Sequence, residues 1–325
     1  MSVAQYIRKA SLIVGQNEAS RGALDLSELR FKFSVRRGDI QTPNSADIRV
    51  YNVSDQTAQA IQKEFTRVVL QAGYDGNFGV IFDGQIKQVR RGRETQTDTY
   101  IDITAADGDS AYNYAMSVFS LAAGSTPKNA VEAVLQDMGN YSVSGGYIPA
   151  LPGAPLPRGK AVYGMSRDKM RDIAKNTQSS WSIQDGKLNM IPITAYVPGE
   201  IPVITAATGM IGLPEQTQNG IKLKTLLNPN IKIGQAVKLD NDSINRLRYD
   251  LALGQGAVNE SIAIQAKTNN DGLYYVMIAD HSGDTRGNEW YSSLICLAID
   301  ATVTPLFAPQ FPIGQEYVNS IKKYG

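Results

Sequence analysis

The residues best suited to acid–base chemistry gather at Ala279-Asp280-His281-Ser282-Gly283-Asp284. His281 is the only histidine of the chain. An imidazole flanked by carboxylates has the makings of a general base. The segment reads as a turn between two strands, so the plainer expectation is a loop histidine that hydrogen-bonds its own turn. A serine–histidine–acid arrangement stays open at this point, because its members can lie far apart, but no Gly-x-Ser-x-Gly elbow accompanies the histidine. One histidine and one cysteine exclude a zinc site built from several such ligands. The cysteine, Cys296, lies in the apolar run Leu294–Ile299 and reads as a buried, inert thiol, and no disulfide can form within the chain. There is no Gly-x-x-x-x-Gly-Lys-Ser/Thr phosphate loop and no dinucleotide fingerprint after a strand. The acids are scattered and offer no favoured pair for glycoside cleavage. Lys87, Arg90, Arg91 and Arg93 stand beside Glu94 and Asp98, which is the pattern of a solvated strand end. The expectation is therefore no catalytic residue, no cofactor and no metal.

The elements that would position any such chemistry are mostly strands. Ala10 to Val14 reads as a first strand. Leu29, Phe31, Phe33 and Val35 alternate with polar residues, as a half-buried strand requires. Ala46–Tyr51 repeats the pattern after the turn Thr42-Pro43-Asn44-Ser45. Ser54 then precedes a helix with Ala58, Ile61 and Phe65 on one face. Strands follow at Arg67–Ala72, Val80–Val89 and Thr99–Ala105, with turns at Tyr74-Asp75-Gly76-Asn77 and Arg91-Gly92-Arg93. Gly84 lies inside a strand and reads as a bulge or a close-approach site. Such a block suggests a small antiparallel barrel or sandwich.

From Ala106 to Ser120 the pattern turns helical. Thr126-Pro127 opens a helix with Ala130, Val131, Val134, Leu135 and Met138 on its apolar face and Gly139 just past its end. Residues 144–160 are dense in Pro and Gly and read as a long irregular connection across a surface. A helix with Ser166 as its cap follows, placing Met170, Ile173 and Ala174 on one face. Two alternating runs then flank Asp185-Gly186, a two-residue hairpin signal. The expected core of this insert is Met170, Ile173, Trp181, Ile183 and Leu188.

After Ile201 the alternation returns at Ile221–Lys224, Ile231–Ile233 and Ala236–Asp240, around turns at Asn228-Pro229-Asn230 and Gly234. Residues 241–261 read as a long loop. Ile262–Lys267, Gly272–Asp280 and Trp290–Ile299 read as strands, and the Pro-containing tail from Thr304 as an extended segment.

Composition narrows the classes further. The formal net charge is +1, so nothing in the overall balance argues for nucleic acid. No stretch approaches the ~18 apolar residues of a membrane helix, and the first residues lack the apolar core of a secretory signal. The Pro-rich loop and tail carry apolar residues, Tyr147, Leu151 and Leu156 in one and Leu306, Phe307 and Phe311 in the other. Long segments of this kind are usually functional or bound to a partner, which favours an assembly component over an enzyme.

Several stretches carry a resemblance. Thr42–Ser54 resembles the early strand and turn of bacteriophage tail hub and tail-tip proteins, as does Val80-Ile81-Phe82-Asp83-Gly84-Gln85-Ile86. The helix followed by Trp181–Ile191 is similar to the insert of that family, and Gly272–His281 with Trp290–Ile299 to its second barrel. The family is the baseplate hub of contractile tails, related to the late-control D group and to the base of type VI secretion spikes. The likeness spans about residues 10–300.

The resemblance implies an α+β, mainly β fold, with two tube-like antiparallel β-barrel domains flanking a small α/β insert. The boundaries it implies are 1–106, 107–200, 201–303 and a tail at 304–325. It also implies a homotrimer that forms a pseudo-sixfold ring joining the tail tube to the central spike. The partners would be tube, spike, surrounding baseplate and tape-measure proteins, in a virion assembled in the host cytoplasm. Neither membrane insertion nor sequence-specific nucleic-acid binding is implied. Two other readings compete. One is a tail-associated hydrolase of cell-wall polymer centred on His281. The other is a glycan- or receptor-binding module using Trp290, Tyr274 and Tyr275, although the two tyrosines must face opposite sides of one strand.

Overall fold

Strand alternation sets the architecture. The computed structural model describes residues 6–16, 22–193, 195–217, 220–239 and 272–299. The expected strand at Ile262–Lys267, the loop 241–261 and the tail from Thr304 lie outside the described residues. The first β block runs β1 (Arg8–Gly15), β2 (Ala23–Asp25), β3 (Phe31–Gly38), β4 (Ser45–Tyr51), α1 (Asp55–Lys63), β5 (Arg67–Tyr74), β6 (Asn77–Arg93) and β7 (Thr99–Ala106). Phe31, Phe33 and Val35 are buried on one face of β3, while the residues between them stay wetter. Ser54 caps α1 by accepting from the Thr57 amide, and Ala58 and Ile61 are its buried stripe.

The insert follows as α2 (Asp109–Tyr114), β8 (Met116–Leu121), α3 (Pro127–Gly139), β9 (Ser144–Gly145), β10 (Lys160–Met165), α4 (Ser166–Asn176), β11 (Ser179–Gln184) and β12 (Lys187–Pro192). The second β block contains β13 (Val203–Ile204), β14 (Met210–Thr217), β15 (Gly220–Leu226), β16 (Ala236–Leu239), β17 (Leu273–Asp284) and β18 (Trp290–Ala298).

Among the described residues the two β blocks are not separate sheets. They join in one 13-stranded sheet whose main path runs β14-β15-β18-β17-β3-β4-β7-β6-β5-β1-β2. The splice is antiparallel pairing of β17 with β3, from Ile278 opposite Gly38 to Asp284 opposite Lys32. The expected mainly β, antiparallel character is present, and among the described residues the blocks share this one sheet with no closed barrel. Alternation within each strand cannot reveal this, because it specifies which face is buried and not which strand lies alongside.

Other local expectations shift for physical reasons. Arg91-Gly92-Arg93 belongs to β6 and not to a turn, since Gly92 sits opposite Tyr100 and leaves room for its ring. The turn falls at Glu94–Asp98, where Thr95 and Asp98 hydrogen-bond each other. Gly84 is a close-approach site, because a side chain there would strike Phe82 and the Ala106 carbonyl. The pairing irregularities of β6 lie elsewhere, at Ile81 and Lys87. The helical reading of 106–120 reduces to α2 followed by β8. Thr126 caps α3 in a reciprocal box with Asn129, and Gly139 is its last residue rather than the one beyond it. Met165, not Ser166, stands at the cap of α4, and buried Ser166 instead shares a 2.9 Å hydrogen bond with Ser117. Ile231 and Ile233 are buried in a loop, not a strand, and β13 and β14 were not expected.

Three apolar clusters result. One fills the first block, one the second and one the insert. Trp290, from β18, belongs to the first. Its ring meets Phe33 edge-on at 5.4 Å and its indole N–H donates to the Gly73 carbonyl at 3.1 Å. The second block thus anchors itself in the core of the first.

Candidate assembly site

His281 lies inside β17, not in a turn, and is 2% exposed. Its Nδ1 is 2.7 Å from the Ser292 hydroxyl. Burial, with the nearby cations Arg37 and Lys232, pulls its pKa down to about 3. It is therefore neutral at physiological pH and sealed from substrate, and the general-base and loop-histidine readings both give way. Cys296 is fully buried, and burial raises its thiol pKa to about 12. Trp290 and Tyr274 are buried, and the Tyr275 hydroxyl donates to Asp39, so these three rings form no sugar-stacking platform. Among the described residues no group of His, Cys, Asp and Glu is placed to hold a metal. The basic strand end is engaged locally, with Lys87 on Asp109 at 2.9 Å and Arg91 on Asp55.

The polar groups that do converge form a seam between the insert and the sheet. All six residues of β11 are buried. Trp181 and Ile183 point into the insert core, while Ser180, Ser182 and Gln184 alternate onto the other face, against the ends of β3, β4 and β7. Ser180 and Ser182 donate to Asp39, the latter at 3.0 Å. Asn44 donates to Gln184 at 2.8 Å and to the Ile183 carbonyl at 3.0 Å, and it accepts from the Gly38 amide. Gln184 returns a bond to the Gly38 carbonyl at 2.9 Å. Arg37, 4% exposed, donates to Asp185 at 2.8 Å, to Gln184 and to the Ile81 carbonyl. Asp107 accepts from the Asp185 and Gly186 amides of the hairpin turn. Those two residues adopt φ of +53° and +72°, the left-handed pair a two-residue hairpin needs.

Burial sets the electrostatics of the seam. It lifts Asp107 to about 7, aided by the Asp185 carboxylate and opposed by the turn amides and Arg37. It lifts Asp39 as well, against three donating hydroxyls, and holds Tyr275 neutral as a donor. Every partner removed here strands another buried group. Asn44→Ala is expected to cost about 2 kcal/mol by leaving the Gly38 amide without its acceptor and removing the bonds to Gln184 and the Ile183 carbonyl. A urea midpoint equal to wild type would show that the seam does not hold the hairpin.

Of the expected insert-core residues, Met170, Trp181, Ile183 and Leu188 are buried in one cluster and Ile173 packs against it. Tyr147 runs beside β12, bonded to Asn189 and Met190. Leu151 packs on the insert core, and Leu156 lines a cleft of about 550 Å³. Leu306, Phe307 and Phe311 lie outside the described residues. The seam residues Arg37, Asp39, Asn44 and Asp107 were not expected. The alternation of Ser180, Ser182 and Gln184 with Trp181 and Ile183 was visible, but it reads as a solvent face unless a second layer is known to cover it.

The architecture has known counterparts. The 43 kDa tail protein of prophage MuSo2 from Shewanella oneidensis aligns over 91% of this chain and 100% of its own, with a TM-score of 0.55 and 8% identity. The tail protein from Neisseria meningitidis MC58 aligns over 92% and 99%, with 0.54 and 10%. A type VI secretion component of E. coli, described as structurally similar to T4 tail proteins gp27 and gp5, aligns over 84% and 74%, with 0.49 and 9%. No curated protein sequence matches. The fold is therefore that of phage tail proteins. Residues 23–250, more than half of the chain, match the family described as baseplate hub gp41, and the chain belongs to that family of phage tail baseplate proteins.

Proposed function

We propose that three copies of this chain close into a pseudo-sixfold ring that joins the tail tube to the central spike, and that the chain performs no enzymatic step. The observation that carries this reading is the β17–β3 splice. It sets the two β blocks side by side in one sheet, so each copy can supply two successive arcs of a ring and three copies six. Head-to-tail contacts that close on a threefold axis give a finite ring. Residues 1–106 and 201–303 are the two arc-forming units in this reading, 107–200 is the insert that braces them through the polar seam, and 304–325 is a tail. The partners are the tube and spike proteins, the surrounding baseplate and the tape measure, with assembly in the host cytoplasm and residence in the virion.

Light scattering on the purified protein, followed by electron microscopy, tests the ring. The expected particle has three times the mass of the 35.3 kDa chain and a threefold outline. A monomer that forms no ring even when co-expressed with the spike protein would overturn the assignment.

A further inference from the structure

The cleft that takes Leu156 has an unusual wall. Its floor is apolar, formed by Phe119 of β8, Val134 of α3 and Ile173 of α4. From β8 it meets only alternate residues, Phe119 and Leu121, but from β10 it meets four in succession, Lys160 to Tyr163. A groove that touches consecutive residues of a strand runs along the strand's edge rather than over one face. That edge is open: β10 pairs only with β8 among the described residues. Two cations stand in the cleft, Lys160 and Lys169, against one acid, Asp172. None of the three makes an ion pair among the described residues.

We propose that this cleft receives an extended, apolar segment of another baseplate protein, which adds a strand to β10 and places a carboxylate between Lys160 and Lys169. An unpaired strand edge supplies main-chain hydrogen bonds to any extended peptide, and the apolar floor selects its alternate side chains. The unpaired lysines supply the charge preference and the register. The proposal rests on the chain being an assembled tail component, and it adds to that reading where a neighbouring baseplate chain is gripped.

Photocrosslinking in assembled tails tests it. Ala161 is exposed on β10 and is replaced, Ala161→p-benzoylphenylalanine, in protein that is built into tails. Illumination is expected to join it to an apolar stretch of a different baseplate chain, identified by mass spectrometry. The double variant Lys160→Glu/Lys169→Glu, at one exposed and one half-buried lysine, is expected to lower the crosslink yield about tenfold, with a melting temperature like the parent's. The milder Lys160→Gln/Lys169→Gln pair serves if the first variant fails to incorporate. A crosslink to residues 304–325 of the same chain or to a second copy, or none from tails that contain the protein, overturns the proposal. Absence of the protein from purified tails overturns the hub reading itself and the proposal with it.

Discussion

Between pH 7 and pH 3 the wild-type protein is expected to lose about 4 kcal/mol of stability that a His281→Asn variant does not lose. The folded-state pKa of His281 lies at about 3, below its ordinary value of 6.5, because burial and the charges of Arg37 and Lys232 disfavour the imidazolium. A group depressed in this way binds its proton in the unfolded chain first. Its contribution is complete above 6.5 and is lost as the pH falls towards about 3. Asp39 and Asp107 have raised values, so their contributions run the other way and favour the fold at low pH. They are present in both proteins, and comparing the pair isolates the histidine. Urea titrations of both proteins at several pH values make the measurement. Parallel stability curves would mean that the imidazole is not held in a dry site.

Trp181→Ala is expected to cost about 3–5 kcal/mol, the range for deleting a buried aromatic ring. Trp181 is fully buried, stacks on Tyr112 at 6.4 Å and belongs to the insert's apolar cluster. On the opposite face of the same strand lies the polar seam. Loss of the ring therefore frees β11 to shift, and Ser182 and Gln184 with it. The indole N–H has no hydrogen-bond partner among the described residues, so Trp181→Phe gives up volume but also relieves an unsatisfied donor, and it is expected to retain most of the stability. Denaturation midpoints in the order wild type, Phe, Ala support this, with fewer rings formed by the Ala variant. An Ala variant that melts and assembles like the parent would remove the insert from its bracing role.

Much of the secondary structure was legible because each strand carries its own signal. Phe31, Phe33 and Val35 alternate, Ser54 and Thr126 announce their helices, and Asp185-Gly186 marks its hairpin. The limits were those of any one-dimensional pattern. Gly92 looks like a turn residue until Tyr100 is placed opposite it. Ser180, Ser182 and Gln184 look wet until Asp39 and Asn44 are brought against them. The β17–β3 pairing joins residues far apart in the chain, and alternation carries no information on such neighbours. The cleft was the least visible part, since it depends on the relative placement of β10, α3, α4 and the Pro-rich loop.

The splice between β3 and β17 also has a consequence for synthesis. At about 5–20 residues per second, roughly ten to fifty seconds separate the emergence of Gly38 from that of Asp284, its strand's last partner-bearing residue. Throughout that interval the nascent first block can pair β4, β7, β6, β5 and β1, while one side of β3 waits for a neighbour. A bare strand edge of this kind recruits other chains on a crowded polysome. Lys32 and Arg36 alternate along β3 and Arg49 lies on the strand beside it, so the ribosome-bound intermediate carries positive charge at the place where premature association would begin.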